Sequence, residues 1–300
     1  MSQASASDLH TAARRRAVGV MMLVAASILW SVSGVAVKTL KLPPIAFTLY
    51  RSIGAAIAMG AIAPFMPGRR PAGRWMAFSA VLYTAVVFLL ITAMTVSTAA
   101  IGILLQYTAP VWCALLAWLF QRRRIGGRTM LAMGIAIVGI TIMIAGQKTG
   151  SGWIGPLCGL LSGVAFGGLI LVLGKVDQSS GDKANPALIV FYNNLGAIAV
   201  LLPLAWGMHT IVIAPGKMAV VAGIGVVQLA VPYVLFQLSL RRVHAVDASL
   251  LTLLEPVLNP VWVALATAER PDTATLVGGA AILVSLVLEA TKKNEPVSSP

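Results

Sequence analysis

The chain is short of charge. Of its 300 residues only 10% are Asp, Glu, Lys or Arg, and nine are acidic. A soluble domain carries about 25%, so a soluble fold is excluded. Cysteine is nearly missing too. Cys113 and Cys158 both lie inside apolar runs, which suits packing better than a disulfide or a metal site. The three histidines, His10, His209 and His244, fall in a tail and two loops without metal-ligand spacing. No metal and no cofactor is expected. The chain has no HExxH, no GxSxG and no pair of intramembrane carboxylates, which ranks an intramembrane enzyme low. No small-residue cleavage motif follows the first apolar run, which exceeds the usual signal-peptide core. That run is expected to stay as a membrane helix.

What the chain does have is hydrophobic length. Apolar residues make up 58% of it, and Trp75–Gln121 contains no charge at all. That stretch could cross a bilayer twice. A transmembrane barrel would show short alternating strands instead. The expected fold is an all-α integral membrane protein whose partner is the lipid bilayer. The net charge of +13 does not indicate nucleic acid, because the basic residues sit between apolar runs rather than on one surface.

Ten spans are expected: Ala17–Thr39, Pro44–Met66, Trp75–Thr95, Thr98–Gln121, Thr129–Gly146, Trp153–Lys175, Pro186–Trp206, Met218–Leu240, Ala245–Thr267 and Thr273–Ala290. Residues 1–16 and 291–300 are tails, the first expected to be disordered to about Ala13. One set of loops and tails holds Arg14–Arg16, Arg69, Arg70, Arg74, Arg122–Arg124, Arg128, Lys175, Lys183, Arg241, Arg242, Lys292 and Lys293. The opposite set holds Lys38, Lys41, Lys148, Lys217 and Arg270. By the positive-inside rule both termini face the cytoplasm of the cell (inner) membrane.

The two halves resemble each other. Ile101–Trp112 (IGILLQYTAPVW) and Leu251–Trp262 (LTLLEPVLNPVW) align Pro110, Val111 and Trp112 with Pro260, Val261 and Trp262, and put Gln106 opposite Pro256, beside Glu255. Pro44, Tyr50 and Gly54 match Pro186, Tyr192 and Gly196, and Lys38 matches Lys175. Five helices per half is an odd number, so the second half enters from the other side. Residues 17–146 and 153–290 are thus expected to form two inverted five-helix repeats, an architecture of secondary transporters.

Ala26–Trp30 with Gly34 and Lys38, Tyr50-Arg51, Thr108–Pro110, Leu254–Val257, Glu269 and Gly278-Gly279 follow in an order and spacing that resembles the EamA-type drug/metabolite transporter superfamily over residues 17–290. Within it the chain looks most like the YddG-like amino-acid exporters. The resemblance implies export of small organic solutes, neutral or aromatic amino acids first, with other metabolites or drugs as the alternative. A passive channel is the rival from another class. Gly167 stands where the repeat would put a twin of Trp30, so the centre is expected to be asymmetric.

Glu255 is the acid placed at the midplane. Ten residues from Ala245, it lies ~15 Å deep at ~1.5 Å per residue, and a carboxylate there is costly and usually functional or turned inward. Thr252, Glu255 and Asn259 share one helix face. The reading that Glu255 touches ligand or carries a proton stands level with a structural role. Pro110, Pro232, Pro256 and Pro260 remove backbone donors and free carbonyls one turn back, which suits kinks or gates where the backbone lines a cavity. Ser27, Trp30, Tyr83, Gln106, Tyr107, Phe166, Gln228, Tyr233, Glu255 and Asn259 are the candidate substrate-binding residues, though ordinary helix packing also suits any single aromatic among them. Gly155, Gly159, Gly163 and Gly167 share a face that lets another helix come close. Arg51 could meet a substrate carboxylate or snorkel outward. Substrate identity, coupling ion and oligomeric state stay open; a monomer suffices.

Overall fold

Thirteen α-helices follow one another among the described residues, which in this computed structural model are 6–71, 73–122, 126–146, 152–181, 184–240, 242 and 251–290. They are α1 (Ala6–Ser31), α2 (Ser33–Leu40), α3 (Pro44–Ile62), α4 (Arg74–Val96), α5 (Ala99–Gln106), α6 (Ala109–Gln121) and α7 (Gly127–Ala145). Then come α8 (Ile154–Ser179), α9 (Pro186–Gly207), α10 (Pro215–Gly225), α11 (Val231–Leu240), α12 (Leu254–Ala266) and α13 (Thr273–Ala290). Proline starts α3, α9 and α10, at the position where its missing N–H leaves no bond unmade. Side chains cap others. Thr98 accepts from the Ile101 amide at 3.1 Å, and Asp272 from that of Thr275 at 2.7 Å.

Among the described residues eight stretches are long and apolar enough to cross a membrane, and two shorter apolar helices, α12 and α13, fall on the last two expected spans. Residues 243–250, which include the start of the expected ninth span from Ala245, lie outside the described residues. The N-terminal tail departs from expectation. Helix begins at Ala6, well before Ala17, because Ala, Leu and Arg are strong helix formers and continue the membrane helix outward.

Several expected spans are broken where the sequence has a local reason. The first divides at Val32, between α1 and α2. The fourth divides at Tyr107–Thr108, where Thr108 and Val111 make tight bonds to the carbonyls of Leu105 and Thr108, and Pro110 has no N–H to give to Gln106. The eighth contains a π-turn over Val226–Ala230 ahead of Pro232. The ninth turns at Leu253, just before Pro256.

Large apolar side chains face outward, among them Phe65, Phe120, Trp153, Trp206 and Leu265, as a surface bathed in lipid requires. The pairings are α4 with α8 and α11 with α1; α5 and α6 with α8, and α12 with α1 and α2; α10 with α3 and α4 with α9; then α3 with α9, α7 with α13, and α5 with α12. Glycine permits the closest approaches. A Cβ on Gly54 would strike the Ala222 carbonyl, one on Gly196 would sit 2.6 Å from the Ala80 methyl, and one on Gly139 2.6 Å from the Gly278 carbonyl. The largest buried cluster holds Val37, Phe47, Ile91, Met94, Ile101, Leu105 and Met143, towards the Lys38 end of the bundle.

Candidate functional site

The broken helices meet around Glu255. Its Oε2 accepts a 2.8 Å hydrogen bond from the Tyr107 hydroxyl, which also lies 3.2 Å from the Thr252 carbonyl. That carbonyl is the one Pro256 cannot reach with an N–H. The helix breaks of the fourth and ninth spans thus bring one phenol, one carboxylate and one backbone carbonyl to a single point. Tyr107 follows Gln106, and the turn at 107–108 carries it to the opposite side.

Three more groups stand close enough to feel the same charges. Arg51 lies in electrostatic range of Glu255, Tyr83 and Tyr233, and Tyr233 in range of Tyr107's partner Glu255. Arg51 is only 6% exposed, and its Nε–H finds no acceptor. Outward snorkelling is therefore corrected: the residue is buried within the bundle instead of reaching its outer surface. The guanidinium stays inside.

Aromatic rings wall one side. Trp30 meets Tyr233 edge-on, with ring centroids 5.5 Å apart at 75°, and Phe236 at 5.7 Å. The Tyr83 hydroxyl donates to Asn194 Oδ1 at 3.2 Å. Phe166 packs half-buried in the cluster of Tyr83, Val87 and Leu169. Beside Tyr233 a narrow cleft runs between Met59, Met66, Pro186, Val190 and Val234.

The remaining expected site residues face other partners. Gln106 is buried, and its Nε2 donates to Ser162 at 3.0 Å, which donates on to the Val86 carbonyl. Ser27 donates to the Leu251 carbonyl at 3.2 Å. Asn259 donates to Ser33 at 3.1 Å, its Oδ1 unpartnered against Gly34. Gln228 is buried in the π-turn with Oε1 unpartnered. Gln106, Ser27 and Asn259 thus tie helices together. Of the four prolines, Pro256 acts directly on the cluster, Pro110 and Pro232 mark the breaks of their own spans, and Pro260 lies within α12.

Sequence reasoning left Asn194, Ser162 and Phe236 unnamed. Ser162 and Asn194 were visible as polar residues within apolar runs; Phe236 carried no such signal. A second polar group was partly legible. Lys38 and Glu269 had been picked out separately, and they pair at 2.7 Å; Lys38 also donates to the Ser97 carbonyl at 2.5 Å, and Glu269 accepts from the Ala99 amide at 2.8 Å. This clamp joins the ends of α2, the α4–α5 corner and the α12–α13 loop.

A solved crystal structure matches over 92% of this chain and 98% of its own, with a TM-score of 0.62 at 18% identity, a likeness of fold alone. An uncharacterized transporter of Archaeoglobus fulgidus is 30% identical over 199 residues, which is 66% of this chain and 69% of that protein. The model of the EamA-like transporter family matches twice, over residues 17–145 and again over 153–290. The chain belongs to the EamA-like transporter family, within the drug/metabolite transporter superfamily, and is a multi-pass membrane transporter.

Proposed function

We propose that the chain exports small neutral or aromatic amino acids by alternating access, from a site between two inverted repeats of five spans, residues 17–146 and 153–290. Both termini face the cytoplasm of the inner membrane on this reading, from the sixteen-to-five split of basic residues described above. The observation that carries the site is the Tyr107–Glu255 hydrogen bond, which joins the two halves where their broken spans meet.

Exchanging each span for its counterpart five places on supports the repeat. The α4–α8 pairing becomes α11–α1, the α10–α3 pairing becomes α4–α9, and α7–α13 maps onto itself. Tyr50 and Tyr192, which align in the repeat, also behave as counterparts. Tyr50 donates to the Ile211 carbonyl in the loop before α10, and Tyr192 accepts from Arg70 in the loop before α4, each at 2.6 Å. A carrier with two such halves can open by rocking one against the other. The aromatic wall of Trp30, Tyr233 and Phe236 suits apolar side chains.

The experiment is counterflow in proteoliposomes. Saturable uptake of labelled phenylalanine or leucine, speeded by unlabelled amino acid inside, is the expected result. Flux that stays linear with concentration, without trans-stimulation, would mean a passive pore.

A further inference from the structure

Arg51 is the unexplained charge of this molecule. A guanidinium in the interior of a membrane bundle is costly and normally finds a counter-ion or backbone acceptors. Here Nε is buried and unpartnered. Glu255 stands in electrostatic range but makes no ion pair with Arg51; its carboxylate is instead turned to the Tyr107 hydroxyl. A buried guanidinium with an unpartnered N–H and a carboxylate bonded to a single phenol therefore share one region of the bundle, in electrostatic range of each other, with tyrosines at 83, 107 and 233 about them.

The backbone is tightly packed beside Arg51. Gly225 presses on the Arg51 carbonyl, and the π-turn begins one residue later, at Val226. Such turns are frequent at functional sites because they re-aim side chains. Arg51 also comes from α3, Glu255 from α12, and Tyr233 from α11. The opposed charges thus sit on separate helices of the two halves.

We propose that Arg51 binds the carboxylate of the substrate while Glu255 and Tyr107 receive its ammonium group, so that the site selects zwitterions over singly charged analogues. A guanidinium presents a planar fork that fits a carboxylate with two parallel bonds. A zwitterion satisfies both charged groups together. An amine leaves Arg51 unpaired, and a carboxylic acid leaves Glu255 unpaired, so each analogue forfeits bonds inside a dry site. The assignment rests on the amino-acid reading above and extends it to a specific residue and a specific discrimination.

The test compares phenylalanine, phenethylamine and 3-phenylpropionate as counterflow substrates of the full chain in proteoliposomes. The intact protein is expected to prefer phenylalanine at least tenfold over both analogues. Arg51→Gln should raise the half-saturation for phenylalanine tenfold or more and leave that for phenethylamine within twofold. Its melting temperature should equal or exceed that of the unaltered protein, because an unpaired buried charge has been removed; a guanidinium with a structural partner would give a lower one. Arg51→Lys keeps the charge without the fork, and should show a three- to tenfold loss for phenylalanine alone. Equal losses for amino acid and amine, or none for either in both variants, would overturn the assignment while leaving amino-acid transport standing. Transport of phenethylamine with no transport of any amino acid would overturn the amino-acid reading itself.

Discussion

Helices α8 and α1 open the two halves of the chain, yet they meet their neighbours by opposite means. Along α8, glycines bring backbones together. A Cβ on Gly163 would lie 2.8 Å from the Leu105 carbonyl, and one on Gly167 would lie 2.7 Å from the Cys113 amide nitrogen and 2.8 Å from the Ala109 carbonyl. Along α1 and α2, side chains do most of the joining. Ser27 reaches the Leu251 carbonyl, Trp262 donates to Ser31 at 2.9 Å, and Asn259 donates to Ser33. Trp30, aligned with Gly167, points instead to Tyr233 and Phe236. Between helices in lipid, close backbone contact is the main source of attraction, and single polar bonds average only about 0.6 kcal/mol. The α8 face is therefore expected to act as the fixed seam of the bundle, and the α1 face to be the one that separates if the halves rock.

The largest effect should come from attacking the fixed seam. Gly167→Leu puts a side chain into backbone atoms of α6 that cannot turn aside. Overpacking of this kind costs about 1–3 kcal/mol and sometimes more. The expected outcome is little monodisperse protein in detergent and a strongly lowered melting temperature in what remains. A variant that melts and transports normally would show that α8 and α6 can part freely, and the contrast with α1 would vanish.

Trp30→Ala probes the other face. It removes an edge-on ring contact worth about 0.5–1.5 kcal/mol beyond its buried area, from a half-buried residue. Transport should fall at least tenfold, read as initial counterflow rate, while the melting temperature drops less than for Gly167→Leu. The reverse ranking would make Trp30 a packing residue and Gly167 the functional one of the aligned pair.

The asymmetry was legible in part. The sequence shows Gly167 opposite Trp30, and the glycine spacing of four predicts close packing without a structure. The helix breaks were legible through Pro110, Pro232 and Pro256, because a missing N–H is a local property. The partner of Glu255 was not. Aligning the halves puts Gln106 at that level, but the two tight turns at 107–108 rotate the chain, so that Tyr107 faces Glu255 and Gln106 faces Ser162. A rotation of one residue cannot be read from helical periodicity when the helix itself is interrupted. Burial of Arg51 was hidden for a related reason. Distance along a helix does not reveal a neighbouring glycine, and Gly225 is what brings α10 over it.

The clamp at the Lys38 end gives a smaller test of the same contrast, since it ties α2 to the α4–α5 corner and the α12–α13 loop. Lys175, which aligns with Lys38 in the other half, donates instead to Gln178 of its own helix at 3.4 Å. Glu269→Ala removes the acceptor of the Ala99 amide and the counter-ion of Lys38. Partly exposed pairs contribute about 1 kcal/mol or less, so global melting should barely move. Hydrogen exchange in a peptide covering Val96–Ile101 should quicken several-fold. Unchanged exchange would mean that the α4–α5 corner is held by its own packing and the clamp is incidental.

The smallest effect is expected at Gln106, and it separates the two faces most sharply. Its side chain is 6% exposed and spans α5 to α8 through Ser162, on the glycine side of the molecule. Gln106→Ala deletes one interhelical bond, while Ser162 keeps its own bond to the Val86 carbonyl. Bonds of this type within membranes contribute about 0.6 kcal/mol and at most about 1.7. Melting should fall by a few degrees at most, with the half-saturation for amino acids unchanged. Tyr107→Phe, one residue on, should alter transport instead, since it strips Glu255 of the hydrogen bond that joins the halves. If Gln106→Ala shifts substrate preference while Tyr107→Phe does not, the turn at 107–108 is set differently during transport, and the α8 seam belongs to the binding site after all.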